Sequence, residues 1–336
     1  MLISEFGEFG FIERLSKKFQ NYLCHNTVGI GDDCAVMPTT QKLNYVVTTD
    51  SLVENVHFIR SKITPFDLGY KSLAVNFSDV AAMGAKPIAS FLSMAIPESI
   101  DVDFLDQFID GYKYLSRKYN VPLLGGDTTR SEKNLILNVT AIGTIKKNKA
   151  RLRSMAKHGD YIFVTGYLGD SAGGLKASML ENIQLTHNEE YLIRCHNFPD
   201  IYVNEGIWLA SQKGVNAMID VSDGIASDLK HILKASGKSA EINIGNIPIS
   251  RHLKEFANKH NFCATEMATS GGEDYVLLLT IEQKHFLKIA QDYTNKFGKS
   301  LFLLGTIFNG KSGDIIWKKD GVTVEGPKEG YNHFMK

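Results

Sequence analysis

Residues 29 to 37 read GIGDDCAVM, which sets two adjacent carboxylates, Asp32 and Asp33, between glycines and an apolar run. Acids recur in similar settings further on: Asp50 in TTD, Asp79 in FSD, Asp127 in GGD, Asp220 and Asp223 in IDVSDG, Glu273 and Asp274 in SGGED. Taken singly, each is what a turn or a helix cap uses. Asp223, followed by Gly224 and a helical pattern, is a cap candidate, and Asp274 can simply close a turn. The set is harder to dismiss, because several acids emerge directly from apolar strands, where an isolated charge is expensive. Lysine and arginine are scarce in the same stretches, so hard cations are the natural counter-ions. Oxygen ligands without a His/Cys cluster point to Mg²⁺ rather than zinc. Mg²⁺ takes one or two carboxylates and completes its octahedron with water and substrate phosphates. Acids beside glycine turns therefore imply a polyphosphate site, of which a nucleotide is the commonest occupant.

A P-loop could supply such a site, and Gly305 to Ser312, GTIFNGKS, formally matches G-x-x-x-x-G-K-[ST]. A working P-loop must lead from a strand into a helix whose N-terminus faces the phosphates. Here SGDIIWKKDG follows, which reads as a second strand, and Asn309-Gly310 is a hairpin signal. The match is read as chance.

The elements that must position the acids fall into two series. Leu43–Thr49 reads as a strand that ends on Asp50 and delivers it to a sheet edge. Pro65 opens a helix with Leu68, Leu73, Phe77 and Val80 on one stripe, ending at Gly84. A strand over 88–96 precedes the strongest helical pattern in the chain, Phe104 to Tyr119. A short strand VPLL, closed by Gly125-Gly126-Asp127, and an alternating strand over 135–145 complete an α+β first half in the order β-α-β-α-β-β. The basic stretch IKKNKARLR, 145 to 153, marks the boundary, so the domains are expected at 1–148 and 149–336. A second α/β series follows: strand DYIFVTG, the glycine-broken YLGDSAGGL, strand NAMIDV, a helix over 225–235, strand YVLLLT, a helix over 284–297, and strands near 301 and 322.

The 336 residues carry 37 basic and 37 acidic side chains, and 43% are hydrophobic. A formal net charge of zero removes any global pull toward nucleic acid or an anionic membrane. No stretch approaches the roughly 18 apolar residues of a membrane span, and the acidic start MLISEFGEFGFIERL does not suit a secretory signal. Cys24, Cys34, Cys195 and Cys263 show no paired spacing and read as reduced thiols, so a cytoplasmic location is expected.

GIGDDCAV, TTDSLVENVHF, YKSLAVNFSDVAAMGAKP, GGDTTRS, TGYLGDSAGGL, IDVSDGIASDL and SGGEDYVL stand in the order and approximate spacing of the thiamine-monophosphate kinase family. The resemblance covers essentially the whole chain; NFSDVAAMGAKP with IDVSDG is its most specific part. The wider group is the aminoimidazole ribonucleotide synthetase superfamily. The resemblance implies a two-domain α/β (α+β) fold: an N-terminal ferredoxin-like sheet with helices, which binds ATP and Mg²⁺ and dimerises, and a C-terminal α/β domain with a mixed sheet that completes the cleft. It implies a homodimer built through N-terminal strands and an ATP site without a P-loop. Asp33, Thr48, Thr49, Asp50, Asp79, Asp127 and Asp220 resemble the ligands of several Mg²⁺ ions, with Asp223 holding a further ion, and Asp33, Asp50, Asp79, Asp127 and Asp220 carry catalysis. Tyr112, Gly126, Asp127, Arg153 and Ser222 resemble nucleotide contacts; His57, Glu273 and Tyr331 resemble contacts to thiamine monophosphate. The implied reaction transfers the ATP γ-phosphoryl group to thiamine monophosphate, giving thiamine diphosphate and ADP. Asp33 is expected to face metal and Asp32 to support the turn. His57 has an alternative as a packed or capping histidine, and Arg153 as a linker charge.

Two rivals remain. Another ATP-using member of the superfamily, such as a selenophosphate synthetase, would carry a reactive cysteine or selenocysteine and a lysine near the first glycine loop, a context that Cys24 lacks. A non-catalytic sensor of thiamine phosphates would tolerate missing acids, and none is missing.

Overall fold

A computed structural model describes residues 12–13, 26–39, 42–181, 184–327 and 330. Cys24, Tyr331 and the N-terminal stretch through Phe11 lie outside the described residues. Two sheets organise the rest. The first has five strands, β1 (Ala35–Pro38), β2 (Leu43–Val53), β3 (Lys86–Pro97), β4 (Leu123–Ser131) and β5 (Ile136–Lys146), in the order β1-β2-β5-β3-β4. Only β3 and β4 run parallel. One face is covered by α1 (Pro65–Ala82) and α2 (Val102–Tyr119). Thr64 caps α1 by accepting from Asp67 N, with proline at the first helical position, and Asp101 caps α2 in the same way.

The second sheet has seven strands, in the order β12-β11-β8-β10-β6-β9-β7. They are β6 (Asp160–Val164), β7 (Val215–Asp220), β8 (Ser239–Asn243), β9 (Leu277–Glu282), β10 (Phe302–Phe308), β11 (Ile315–Lys319) and β12 (Val322–Val324). Its helices are α3 (Asp170–Ser178), α4 (His187–Asn197), α5 (Val203–Ser211), α6 (Ile225–Ser236), α7 (Arg251–His260), α8 (Ala264–Ser270) and α9 (Phe286–Phe297). The sheet is mixed, with β11 parallel to β8 and the other pairs antiparallel. One apolar core runs through both halves, from Leu73 and Phe77 of α1 to Ile219 of β7 and Leu278 of β9. No described helix is long and apolar enough to cross a membrane.

Four sequence expectations change. The strand over 43–49 does not stop at Asp50 but runs to Val53, and it lies inside the sheet between β1 and β5, so Asp50 sits in mid-strand. The short strand VPLL is the start of a longer one: β4 continues through Gly125, Gly126 and Asp127 to Ser131. Gly126 is there for close approach, since a Cβ would meet the Leu92 carbonyl oxygen at 1.7 Å. Asn309-Gly310 does not close a hairpin. β10 pairs antiparallel with β8 on one side while β11 pairs parallel with β8 on the other, so the two strands never meet. No helix follows the glycine–lysine run, in keeping with its rejection as a P-loop. The glycine-broken stretch YLGDSAGGL holds α3. A Cβ on Gly174 would lie 2.0 Å from the Leu192 carbonyl oxygen of α4, so the packing of two helices overrides glycine's poor helix propensity. Helices α4, α5, α7 and α8 and strand β8 have no counterpart in the sequence reading.

Candidate active site

α1 is the element that joins the two sheets at the site. It lies on the first sheet, packs against β7 of the second, and carries Ser78 and Asp79 in its last turns. The period-two alternation of β2 places Thr48 and Asp50 on the face toward α1. Thr48 donates its hydroxyl to Asp79 Oδ2, and the Asp50 carboxyl stands close to that of Asp79. β7, buried throughout, ends on Asp220, whose Oδ2 accepts from Ser78 Oγ at 2.6 Å. The GDD turn completes the set from the other side. Asp33, Asp79 and Asp220 each offer an oxygen within 4.8 Å of the others'.

Four carboxylates thus meet in a buried place with a single guanidinium. Arg153, on the short turn Arg153–Met155 between the sheets, pairs through Nη2 with Asp33 Oδ1. Its backbone N–H donates to Asp32 Oδ2 at 3.1 Å, and Asp32 Oδ1 accepts from Asp33 N, so Asp32 fastens the turn to the second half. Burial, then the charge of neighbouring acids, pushes the Asp220 carboxyl up to about 7, and burial pushes Asp50 up to about 6. Burial together with Asp50 and Asp220 drives Asp79 well above the carboxylate range. Asp33 is raised by burial against the lowering pull of Arg153, and burial with the Asp33 charge raises Asp32 to about 7. Two unit charges about 4 Å apart repel by roughly 4 kcal/mol at an effective dielectric of 20, so these acids cannot all ionise on their own.

The residues fit hard divalent cations. Asp33 Oδ2 is buried with no hydrogen-bond partner, an acceptor aimed into the cluster that only a cation or a proton satisfies. The donor set is oxygen alone, which suits magnesium. Arg153 Nε is likewise buried without an acceptor. Scarce as they are in the acidic stretches themselves, two cationic side chains reach the acids. Arg153 reaches Asp33, and Lys71, which the sequence reading did not single out, reaches Glu273.

Not every expected residue joins the cluster. The Thr49 hydroxyl lies on the opposite face of β2, accepting from Thr140 Oγ1 and donating to Asn138. Gly126 and Asp127 sit on the exposed edge strand β4. The register Asp50↔Val139, Val139↔Leu92, Leu92↔Gly126 sets Gly126 three strands from Asp50. That is about 14 Å at the usual strand spacing. Asp127, paired with Ser93, points to the face away from Asp50. Within one chain the two carboxylates cannot share an ion. The Tyr112 phenol is buried and donates to Ser90 Oγ at 2.8 Å, inside the α2–β3 layer and apart from the acids.

A second group sits at the start of α6, where Asp223, Asp228 and His231 offer ligand atoms within 4.8 Å of one another. Asp223 does not cap the helix as expected. Gly224 holds the cap position, and it is Asp228 Oδ2 that accepts from Asp223 N and Gly224 N. Asp274 accepts from Gly169 N at 2.6 Å and Ser171 N at 3.2 Å, closing the start of α3. The loop 271–274 lies along 222–223, with Glu273 N donating to the Ser222 carbonyl oxygen at 2.7 Å. His57 accepts from Val53 N through Nδ1. The Glu273 carboxyl is raised by burial and lowered on balance, first by the Lys71 charge beside it.

Residues 31–145 match the family model "AIR synthase related protein, N-terminal domain", and residues 157–318 match "AIR synthase related protein, C-terminal domain". Thiamine-monophosphate kinase of Buchnera aphidicola subsp. Schizaphis graminum is 39% identical over 339 residues, covering 98% of this chain and 100% of that protein. The Escherichia coli K12 enzyme of the same name is 36% identical over 332 residues, with 98% of each chain covered. The solved structure "AaThiL complexed with AMPPCP and TMP" superposes with a TM-score of 0.85 at 32% identity, covering 99% of both chains. With two sheets joined at a nest of carboxylates, both domain models matched and relatives similar from end to end, the chain belongs to the thiamine-monophosphate kinase family of AIR synthase related proteins.

Proposed function

We propose that the protein transfers the γ-phosphoryl group of ATP directly to thiamine monophosphate, producing thiamine diphosphate and ADP, with magnesium as the metal. The observation that carries this reading is the meeting of Asp33 and Asp79 with Asp220, brought from opposite halves of the fold to within 4.8 Å. In the transfer, an oxygen of the acceptor phosphate forms a bond to the γ-phosphorus, the bond from that phosphorus to the β,γ-bridging oxygen breaks, and ADP leaves with the electron pair. The acceptor oxygen belongs to a phosphate whose second pKa is about 6, so no strong base is needed at neutral pH. Repulsion between two polyanions is the obstacle. Bound at the acid cluster, Mg²⁺ supplies positive charge that offsets the phosphate oxygens in the ground and transition states. Asp33, Asp50, Asp79 and Asp220 fix where that charge sits, and Thr48 and Ser78 hold two of the carboxylates in place. Arg153 and Ser222 take the nucleotide; Asp223 serves a further ion; His57, Glu273 and Tyr331 take the acceptor. Family relatives similar to this chain carry the kinase name, and AaThiL is described with AMPPCP and TMP.

The test is ADP release in the presence of magnesium with thiamine monophosphate, with thiamine, and with neither. ADP should appear with the monophosphate at a rate at least about 100-fold above the other two, since thiamine lacks the ionised acceptor oxygen and the charge that holds it. Equal inertness with both acceptors ends the proposal and leaves the sensor reading in its place.

Residues 1–148 form, in this reading, the ATP- and Mg²⁺-binding and dimerisation domain, and 149–336 the domain that completes the cleft. The homodimer uses the uncovered face of the first sheet, where Tyr45, Phe91 and Ile136 are exposed apolar side chains. That face also bears Asp127. Since Asp127 cannot reach its own cluster, it acts on nucleotide and metal across the interface, at the partner copy. Mixing Asp127→Asn and Asp220→Asn proteins, each inactive alone, tests this. Subunit exchange should restore up to about a quarter of wild-type activity, because half the dimers are mixed and one of the two sites in each is intact. No recovery from a verified mixed dimer places Asp127 in its own subunit's site. The free thiols of Cys34, Cys195 and Cys263 suit a reducing cytoplasm.

A further inference from the structure

Glu273 is held in an unusual way for a residue at the edge of a cleft. Its φ of 64° is left-handed, a conformation that costs a side chain with a Cβ on the order of 1 kcal/mol. The bond from its N–H to the Ser222 carbonyl oxygen at 2.7 Å holds it there. From that backbone the carboxylate meets two nitrogens on one oxygen. Lys71 Nζ stands 3.1 Å from Oε2 and His196 Nδ1 stands 3.3 Å from the same atom. His196 Nδ1 also lies 3.0 Å from Ser171 Oγ, which fixes the ring. Burial and the Lys71 charge hold the His196 pKa down to about 4, so the ring stands neutral beside the carboxylate.

The exposures separate the roles. The Lys71 side chain is 1% exposed and that of Glu273 26%, so the lysine cannot touch a ligand while the carboxylate can. Among the described residues no group takes Glu273 Oε1. Lys71 lies two turns before Asp79 on α1, about 12 Å along the helix axis. One rigid rod therefore carries both an acid of the cluster and the residue that holds Glu273. The acceptor, resting on the kinase reading above, has a phosphate on an ethyl arm, a cationic thiazolium ring that bears this arm, and an uncharged aminopyrimidine beyond the ring. A carboxylate oxygen left open is the natural partner for that cation and the amino group beyond it.

We propose that Lys71 is a positioning residue for acceptor specificity: standing with His196 against Oε2, it holds the Glu273 carboxylate in place and turns Oε1 to the thiazolium cation and the amino group beyond it in thiamine monophosphate. Lys71 touches no substrate atom and acts only through Glu273. The nucleotide end of the site does not depend on it.

Steady-state kinetics of Glu273→Gln, Lys71→Met, Lys71→Arg and the double variant Lys71→Met/Glu273→Gln, with calorimetric binding of thiamine monophosphate to each, tests this. Lys71→Met should raise KM for thiamine monophosphate at least tenfold while KM for ATP stays within twofold. Glu273→Gln should do the same, and the double variant should be no worse than either single one, since both act through one contact. Lys71→Arg should recover most of the loss. The double variant leaves no unpaired buried charge, so it keeps the test open if Lys71→Met fails to fold. An unchanged KM for thiamine monophosphate in folded Lys71→Met or in the double variant overturns the proposal, as does an equal rise in both KM values. A wild-type protein that releases no ADP with thiamine monophosphate refutes the kinase reading instead, and the calorimetric comparison still decides whether Lys71 governs binding.

Discussion

Asp220→Asn lowers kcat at least about 1,000-fold, equal to roughly 4 kcal/mol of transition-state stabilisation, and at the same time raises the thermal stability of the metal-free protein. The two effects have one cause. Asp220 is buried at the end of β7 within 4.8 Å of oxygens of Asp33 and Asp79. Asparagine fills the same volume and its Oδ1 still accepts from Ser78 Oγ, so the fold is kept. What disappears is one negative charge. Without metal that charge is a burden, as burial and its neighbours push the Asp220 carboxyl up to about 7. In the proposed reaction the same charge would hold the cation that offsets the transferring group. Asp50→Asn should behave in the same direction. Turnover by quenched-flow or coupled assay and Tm by calorimetry in chelator check the pair. Activity within tenfold of wild type, or a fall in metal-free Tm, would sink the assignment of Asp220 to the metal.

Removal of magnesium should abolish turnover, and the stability that the ion adds should depend on pH in a definite sense. The Asp32 and Asp220 carboxyls sit at about 7 and Asp50 at about 6, against a usual value of 3.8. Between roughly pH 4 and pH 7 the folded, metal-free protein therefore holds protons that the unfolded chain has released. Stability of that form falls as pH rises through this window and goes on falling above it, because Asp79, driven well above the carboxylate range, still holds its proton there. A divalent cation competes with those protons, so its effect runs the other way. Magnesium at a hundredfold excess over its dissociation constant adds about 2.7 kcal/mol at pH 7.5, and much less at pH 5. His196, neutral in the fold, disfavours acid on its own account, since its pKa is lowered to about 4. Comparing Tm with and without magnesium at each pH cancels that contribution. A magnesium-induced shift of the same size at pH 5 and pH 7.5 would show that the ion does not bind at these carboxylates.

Most of what could be read without coordinates came from local pattern. Pro65 and the apolar stripe placed α1, which runs Pro65–Ala82, and the spacing of Phe104 to Tyr119 placed α2, because a helix face repeats within a few residues. The alternation over 135–145 placed β5 for the same reason. Extents were harder. β4 runs on through two glycines because it lies at an edge against the Leu92 carbonyl, a constraint set by a strand thirty residues away. α3 forms across Gly173 and Gly174 because α4 needs close approach there, and a propensity scale carries no knowledge of α4. The Asn309-Gly310 turn signal was real chemistry in the wrong topology, since β8 came between the two strands it was expected to join.

By residue type alone, the sequence determined that oxygen ligands suited to a hard cation recur along the chain and that no working P-loop accompanies them. Which of them meet was decided only in three dimensions. Asp33, Asp79 and Asp220 converge because α1 packs on both sheets, while Thr49 and Asp127 turn to the other face of theirs because side chains alternate along a strand. Lys71 lies in a segment that carries the family resemblance, yet nothing there marked its role, and His196 lies in no such segment. A lysine in a buried helix and a histidine in a polar one acquire their meaning from Glu273, more than seventy residues from either, and such pairings are set by packing between distant segments rather than by the chemistry of any one.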